Sequence, residues 1–148
     1  MSKEGVRLEY KVHKINTIKF SFEDLGESAF QDLKSIDESF EYSVGAGMKI
    51  NLEQEEIVID IETTFRTSKK GEVLIHHIGR TVFKVKGLEL TKEEEKDMYD
   101  LPDDFIVQIY ALAYSHARAL LAVESGPTIY KDFFILPVVD PRSFIKNL

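Results

Sequence analysis

Several places in the chain hold residue types that carry out chemistry elsewhere, and in each the spacing decides the reading. Ser115 and His116 stand side by side in the stretch "ALAYSHARALLAVES". On a helix, neighbours point about 100° apart, so a hydroxyl nucleophile and an imidazole base placed there do not meet at hydrogen-bond distance. No G-x-S-x-G elbow occurs either. His116 falls on an apolar stripe and reads as a core histidine. His76 and His77 resemble a metal pair, but consecutive strand residues face opposite sides, and no H-x-H or H-x-x-x-H spacing completes a site. The acids of "EQEEIVIDIE" and "KEEEKD" lack the spacing of a calcium loop, and Gly45-Ala46-Gly47 is too short to cradle a phosphate. The residues point to no catalytic centre, metal or cofactor, and the expectation is a protein that is not an enzyme.

Composition narrows the class. At 148 residues the chain is expected to form one domain, 1–148, with 43% hydrophobic and 30% charged residues, as in ordinary soluble proteins. It has no cysteine, which fits a reducing compartment. The N-terminus lacks the apolar stretch of a signal peptide. The longest apolar run, Phe133 to Val139, is far below the roughly 20 residues of a membrane span. A cytoplasmic protein without membrane insertion is expected. A net charge of −7, with Lys and Arg scattered among more numerous acids, argues against a nucleic-acid partner.

The first half is written in period two. In "VRLEYKVHKINTIKFSF" the even positions Val6, Leu8, Tyr10, Val12, Ile18, Phe20 and Phe22 are apolar, with a lapse near Lys14–Asn16 that suggests a hinge. "FEYSVGAGMKINL" repeats the pattern, and its Gly45-Ala46-Gly47 step suggests a bend or bulge. "EEIVIDIETTF" sets Ile57, Ile59, Ile61 and Phe65 on one face. "SKKGEV" reads as a hairpin turn and "EVLIHHIGRTVFKVKGL" as the returning strand, which together predict an antiparallel sheet with one covered face. Phe30, Leu33 and Ile36, three apart, suggest a short helix between the first two strands. "TKEEEKDMYD" reads as a solvated loop. The strongest helix runs from Pro102 to about Ser125, with Asp103 and Asp104 at its positive end and Gly126-Pro127 closing it. Its two stripes, Phe105/Ile109/Leu112/His116/Leu120 and Ile106/Tyr110/Ala113/Ala117/Leu121, form a face wide enough to need cover from a sheet and from something else.

What stands out is aromatic: 10 Phe and 6 Tyr, many where elements begin, end or connect. Most suit a core or a subunit interface; a minority suit a groove for extended apolar peptide.

Three stretches resemble the SecB family of protein-export chaperones. "INTIKFSFED" is similar to the family's first strand with its S-F-E signature, here Ser21-Phe22-Glu23. "GEVLIHHIGRTVFKVKGLEL" is similar to its last strand, running into the apolar segment Lys86 to Glu89. "SHARALLAVES…ILPVVDPRSFI" is similar to its long helix, the following loop, an L-x-P-V-like segment and a short terminal helix from roughly Pro141 to Leu148. The resemblance implies an α+β protomer: a four-stranded antiparallel sheet packed by one long helix in the C-terminal half plus a short terminal helix. It further implies a homotetramer built as a dimer of dimers through the helices, and an ATP-independent holdase that binds unfolded or pre-secretory polypeptides in apolar grooves. Groove residues carried by pattern and resemblance together are Phe40, Tyr42, Tyr130, Phe133, Phe134 and Leu136.

The chain departs from the family at the acid two residues before S-F-E, where Lys19 stands, although Glu23 and Asp24 keep an acidic surface of the kind that docks the SecA motor. The family's Arg-Gly pair is Arg118-Ala119, the Asp24–Phe40 connection is longer, and the flexible acidic tail is missing. Besides unfolded clients, the partner is therefore SecA or an antitoxin, as in toxin–antitoxin–chaperone systems. Two other readings compete. One is a hotdog-like acyl-binding or thioesterase module, disfavoured because the long helix follows all the strands. The other is an adaptor for a single folded partner.

Overall fold

Alternation in residues 56–86 builds the centre of the sheet. In the computed structural model, which describes residues 7–34, 40–93 and 98–144, β3 (Glu56–Thr67) and β4 (Val73–Lys86) form an antiparallel hairpin. Every second side chain faces inward, and Ile57, Ile59 and Ile61 are fully buried; each contributes about 1.5–3 kcal/mol in apolar surface removed from water. Gly71 supplies the left-handed backbone of the hairpin turn, at φ 65°. The edges are β1 (Glu9–Phe22), paired to β4, and β2 (Phe40–Asn51), paired to β3. The order is β1-β4-β3-β2, antiparallel throughout.

The parity lapse in the first strand has a structural cause. Register shifts fall between Val12 and Lys14 and between Thr17 and Lys19. Each bulge adds one residue and flips the alternation. Inward positions therefore run Tyr10, Val12, Ile15, Thr17, Phe20, Phe22, odd only between the bulges, in place of the single hinge expected near Lys14–Asn16. Val6 lies outside the described residues. Gly45-Ala46-Gly47 corrects the opposite way: these residues pair without a break to Glu62, Ile61 and Asp60. Their glycines strip side chains from the outward face, where an added Cβ would meet nothing within 4 Å.

That outward face is held by ion pairs between β3 and β4. Arg80 donates from Nε and Nη2 to the two Asp60 oxygens at 2.7 and 2.9 Å, Lys84 reaches Glu56 at 3.0 Å, and His76 meets Glu62 at 2.9 Å.

On the inward face lies α2 (Asp103–Ser125), which begins just after Pro102. Phe105, Ile109, Ala113, Ala117 and Leu121 form its buried ridge. The close approach needs small residues: a Cβ on Gly79 would sit 3.2 Å from Ala117. The row beside it, Leu112, His116 and Leu120, is only partly buried, as is Ile106 in the first turn, and Val123 is exposed; the buried ridge thus draws on both expected stripes. By length and composition α2 would pass for a membrane span, unlike any run identified from the sequence; its buried ridge accounts for part of that apolarity.

The short helix between β1 and β2 is α1 (Glu27–Lys34); the expected Ile36 lies outside the described residues. After β4, Gly87 at φ 88° turns the chain into a 3₁₀ turn, Leu88–Thr91. At the described ends of the charge run Lys92 bridges Tyr99, and Thr91 is buried. Beyond Gly126 the chain folds back, runs extended over residues 134–140 and ends in a 3₁₀ turn, Pro141–Phe144. The terminal helix expected from Pro141 to Leu148 is thus a single short turn as far as the described residues reach.

Candidate functional site: an aromatic belt across one end of the sheet

The residues with chemical potential are absorbed by packing. His116 Nδ1 meets Thr81 Oγ1 at 3.0 Å across the helix–sheet interface. His77 is fully buried and its Nε2 meets Thr17 Oγ1 at 3.1 Å; burial pushes its pKa from 6.5 down to about 4, against the nearby Glu124 carboxylate, which raises it. His76 points to the opposite face, as strand geometry requires. Among the described residues no three His, Asp or Glu side chains are grouped to hold a metal ion.

The aromatic residues, by contrast, converge. All four strands end or begin at one end of the sheet, and there each contributes an inward apolar side chain: Phe20 and Phe22 from β1, Ile75 from β4, Phe65 from β3, Phe40 and Tyr42 from β2. The segment after α2 lays Tyr130, Phe133 and Phe134 over them. The rings form one connected path. Phe20 stacks on Phe22 at 5.6 Å; Phe22 meets Tyr130 at 6.4 Å; Phe30 of α1 stands edge-on to Tyr130 and Phe133 at 5.3 and 5.0 Å. Phe133 meets Phe40 at 5.1 Å, Phe65 stacks on Phe134 at 4.2 Å, and Tyr42 closes the path against Phe134 at 5.7 Å. Edge-to-face and offset pairs of this kind add to the hydrophobic term.

The six groove residues named from the sequence are brought together, but on two levels. Tyr42 is 47% exposed, and Phe40 and Phe133 are partly buried. Tyr130, Phe134 and Leu136 lie inside, at 0%, 9% and 1% exposure, which corrects their expected place on an open surface. The reason lies in long-range polar contacts that nail this segment down. Tyr130 Oη donates to the Glu23 carbonyl at 2.7 Å, Arg118 Nε donates to the Leu136 carbonyl at 2.8 Å, and Tyr114 Oη donates to the Pro137 carbonyl at 2.6 Å. With its polar tip satisfied, Tyr130 is a supporting wall of the belt, and burial pushes its pKa up to about 12.

The open parts of the belt were only partly named. Phe22 is 42% exposed at the β1 end, while Ile135 and Val138 stand out to solvent on the segment whose Phe134 meets Tyr42. Between α2 and the C-terminal segment, Tyr114, Arg118 and Val138 line a depression of about 260 Å³. Phe22 and Phe65 were findable by parity, since they share the inward face with Phe20 and Tyr42; Ile135 was hidden in a continuous apolar run. Glu23 and Asp24 have exposed side chains. The outward row of β1 carries Lys11, Lys14 and Lys19, brought to one face by the two bulges, with Lys19 at the end of the strand that leads into Glu23.

No protein-family model and no curated protein sequence matches the chain. A search of solved structures does find a counterpart: a SecB-like chaperone of Mycobacterium tuberculosis, solved in complex with a ChAD peptide from the HigA1 antitoxin. The match has a TM-score of 0.51 at 8% identity and covers 88% of this chain and 87% of that one. The strand order, the long helix after the last strand and the extended return segment are therefore those of a known architecture, and the chain has the SecB-like fold.

Proposed function

We propose that this protein is a chaperone of the holdase type, a single SecB-like domain that binds unfolded polypeptide in extended form without ATP. The observation that carries this reading is the aromatic belt, whose two ends, Phe22 and Tyr42, are exposed while its middle is packed. Laying a client across it removes apolar surface at about 25 cal/mol per Å², and aromatic anchors do so with few rotatable bonds to immobilise. The free edges of β1 and β2 offer backbone donors and acceptors that pair with any sequence.

A client drawn from an antitoxin is favoured by one further observation. The structural neighbour was solved with a peptide of that origin, whereas SecA docking through Glu23 and Asp24 is opposed by Lys19, a cation on the strand that leads into that acidic pair. The half-buried row Leu112 and Leu120 of α2 supports assembly of protomers through their helices into a homotetramer, and the reading places that assembly in the cytoplasm.

The test is aggregation of a chemically unfolded protein diluted into buffer, followed by light scattering without nucleotide. Suppression near one tetramer per client is expected. No suppression across several clients, an antitoxin-derived peptide included, would leave the fold without this function.

A further inference from the structure

Among the described side chains, a ring carried on α1 sits over the middle of the belt. Among the described side chains of α1, Glu27, Ser28, Ala29, Gln31 and Asp32 are exposed, and only Phe30 is buried, at 4%. That ring stands edge-on to Tyr130 and Phe133, with interplanar angles of 79° and 80°. A helix of eight residues is too short to be stable by itself in water, so α1 depends on contacts with the rest of the fold, and among its described side chains the Phe30 ring is the buried one. Short elements docked through one face are the kind that open locally at low cost.

Removing Phe30 would uncover Tyr130 and Phe133 and join the two open ends of the belt. The span then available is set by the sheet: three inter-strand spacings of about 4.8 Å separate β1 from β2, or about 14 Å. An extended peptide advances about 3.3 Å per residue, so side chains at i, i+2 and i+4 cover about 13 Å on one side. Three anchor positions fit that length: Phe22 at one end, the Phe30 position in the middle and Tyr42 at the other.

We propose that Phe30 is the chain's own occupant of a central pocket for a client's aromatic side chain, carried on α1 as a displaceable plug. The ligand class is an extended segment with an aromatic residue flanked two positions away on each side by apolar ones. This rests on the holdase reading above and adds to it a preference and a built-in restraint. A closed pocket lowers apparent affinity by the fraction of molecules that are open, so removing the plug raises affinity without any new contact.

The experiment uses the full chain and a fluorescein-labelled nine-residue peptide with Leu, Phe and Leu at alternate positions in a Ser/Gly background, beside a version with Ala replacing the Phe. Phe30→Ala is expected to bind the Phe peptide at least tenfold tighter than wild type and the Ala peptide less than threefold tighter. Equal or weaker binding of the Phe peptide by folded Phe30→Ala, or an equal gain for both peptides, overturns the plug. Should Phe30→Ala not fold, hydrogen exchange on the wild type decides: saturating Phe peptide is expected to strip protection from α1 amides and spare α2. Protection of α1 that survives saturation overturns the proposal while leaving the holdase reading intact. Absence of peptide binding by both wild type and variant, with no suppression of aggregation, removes both.

Discussion

The two ends of the helix-covered sheet face are built differently. Towards Gly87, side chains of the central hairpin (Ile57, Phe83, Val85) are roofed by Leu88, Leu101, Phe105 and Ile109, all 8% exposed or less. The roof comes from a turn and from the first half of a long helix, both continuous with regular elements. At the other end the roof is assembled from three separate pieces: β1's last residues, α1 and the return segment. Its rings range from fully buried Tyr130 to Tyr42 at 47% exposure. One end behaves as a closed core, its roofing side chains buried. The other is layered, with a fixed floor of Phe65, Phe134 and Leu136 under rings that reach solvent. Full burial and exposed aromatic surface are thus segregated along the strands.

The largest expected effect tests the closed end. Ile59→Ala removes a fully buried side chain and is expected to cost about 2–5 kcal/mol in denaturant unfolding, because the lost transfer energy adds to an unfilled cavity. Phe133→Ala, taken from the partly buried layer, is expected to cost less, about 1–3 kcal/mol. Equal costs would mean the two ends are equally closed and would break the contrast.

The boundary between the ends can be read by pH. His77 is held neutral by burial, its pKa lowered from 6.5 to about 4, and His116 is lowered by the same cause. Between pH 6.5 and 4 the unfolded chain binds protons that the folded chain refuses, so stability is full above pH 6.5 and falls as pH drops through this window. For His77 the loss is about 1–3 kcal/mol. Glu124 and His76 are the charges that bear on it. His77→Leu should flatten most of the slope, leaving the His116 part; an unchanged slope would place the titration elsewhere.

How much of this was legible beforehand differs between the ends for the same reason. The closed end is made by strict alternation in residues 56–86 and by the 3.6-residue stripe of α2, patterns that local sequence states outright. The layered end depends on where the chain goes after Gly126. "IYKDFFILPV" reads as apolar, but nothing local says that Tyr130 and Leu136 turn in while Ile135 turns out. That depends on long-range hydrogen bonds to Glu23 and Arg118. The bulges in β1 were visible only as a lapse in parity, and Gly45-Ala46-Gly47 looked like a break because composition cannot tell a bent strand from a bare one.

A smaller effect isolates one of those long-range bonds. Tyr130→Phe keeps the ring and deletes the hydroxyl that donates to the Glu23 carbonyl. The expected cost is about 0.5–1.5 kcal/mol, with faster hydrogen exchange concentrated from Glu23 through α1. A loss of protection spread evenly over the sheet would instead mean that the layered end is not a separate unit.

The smallest effect on stability is the sharpest test of the contrast. Tyr42 sits on edge strand β2, 47% exposed, touching Phe134 with the flank of its ring. Replacing it by Ser removes apolar surface that the folded protein already leaves half in water, so stability should change by about 0.5 kcal/mol or less. If extended clients use this end of the belt, the same change should weaken peptide binding about five- to tenfold, the usual loss when one aromatic anchor leaves an interface. The closed end predicts the reverse pairing: Ile59→Ala, at destabilising cost, should leave the affinity of the remaining folded protein unchanged. Binding that tracks stability in both variants would mean that clients are held by the fold as a whole. Binding that follows Tyr42 alone would locate the work in the layered end.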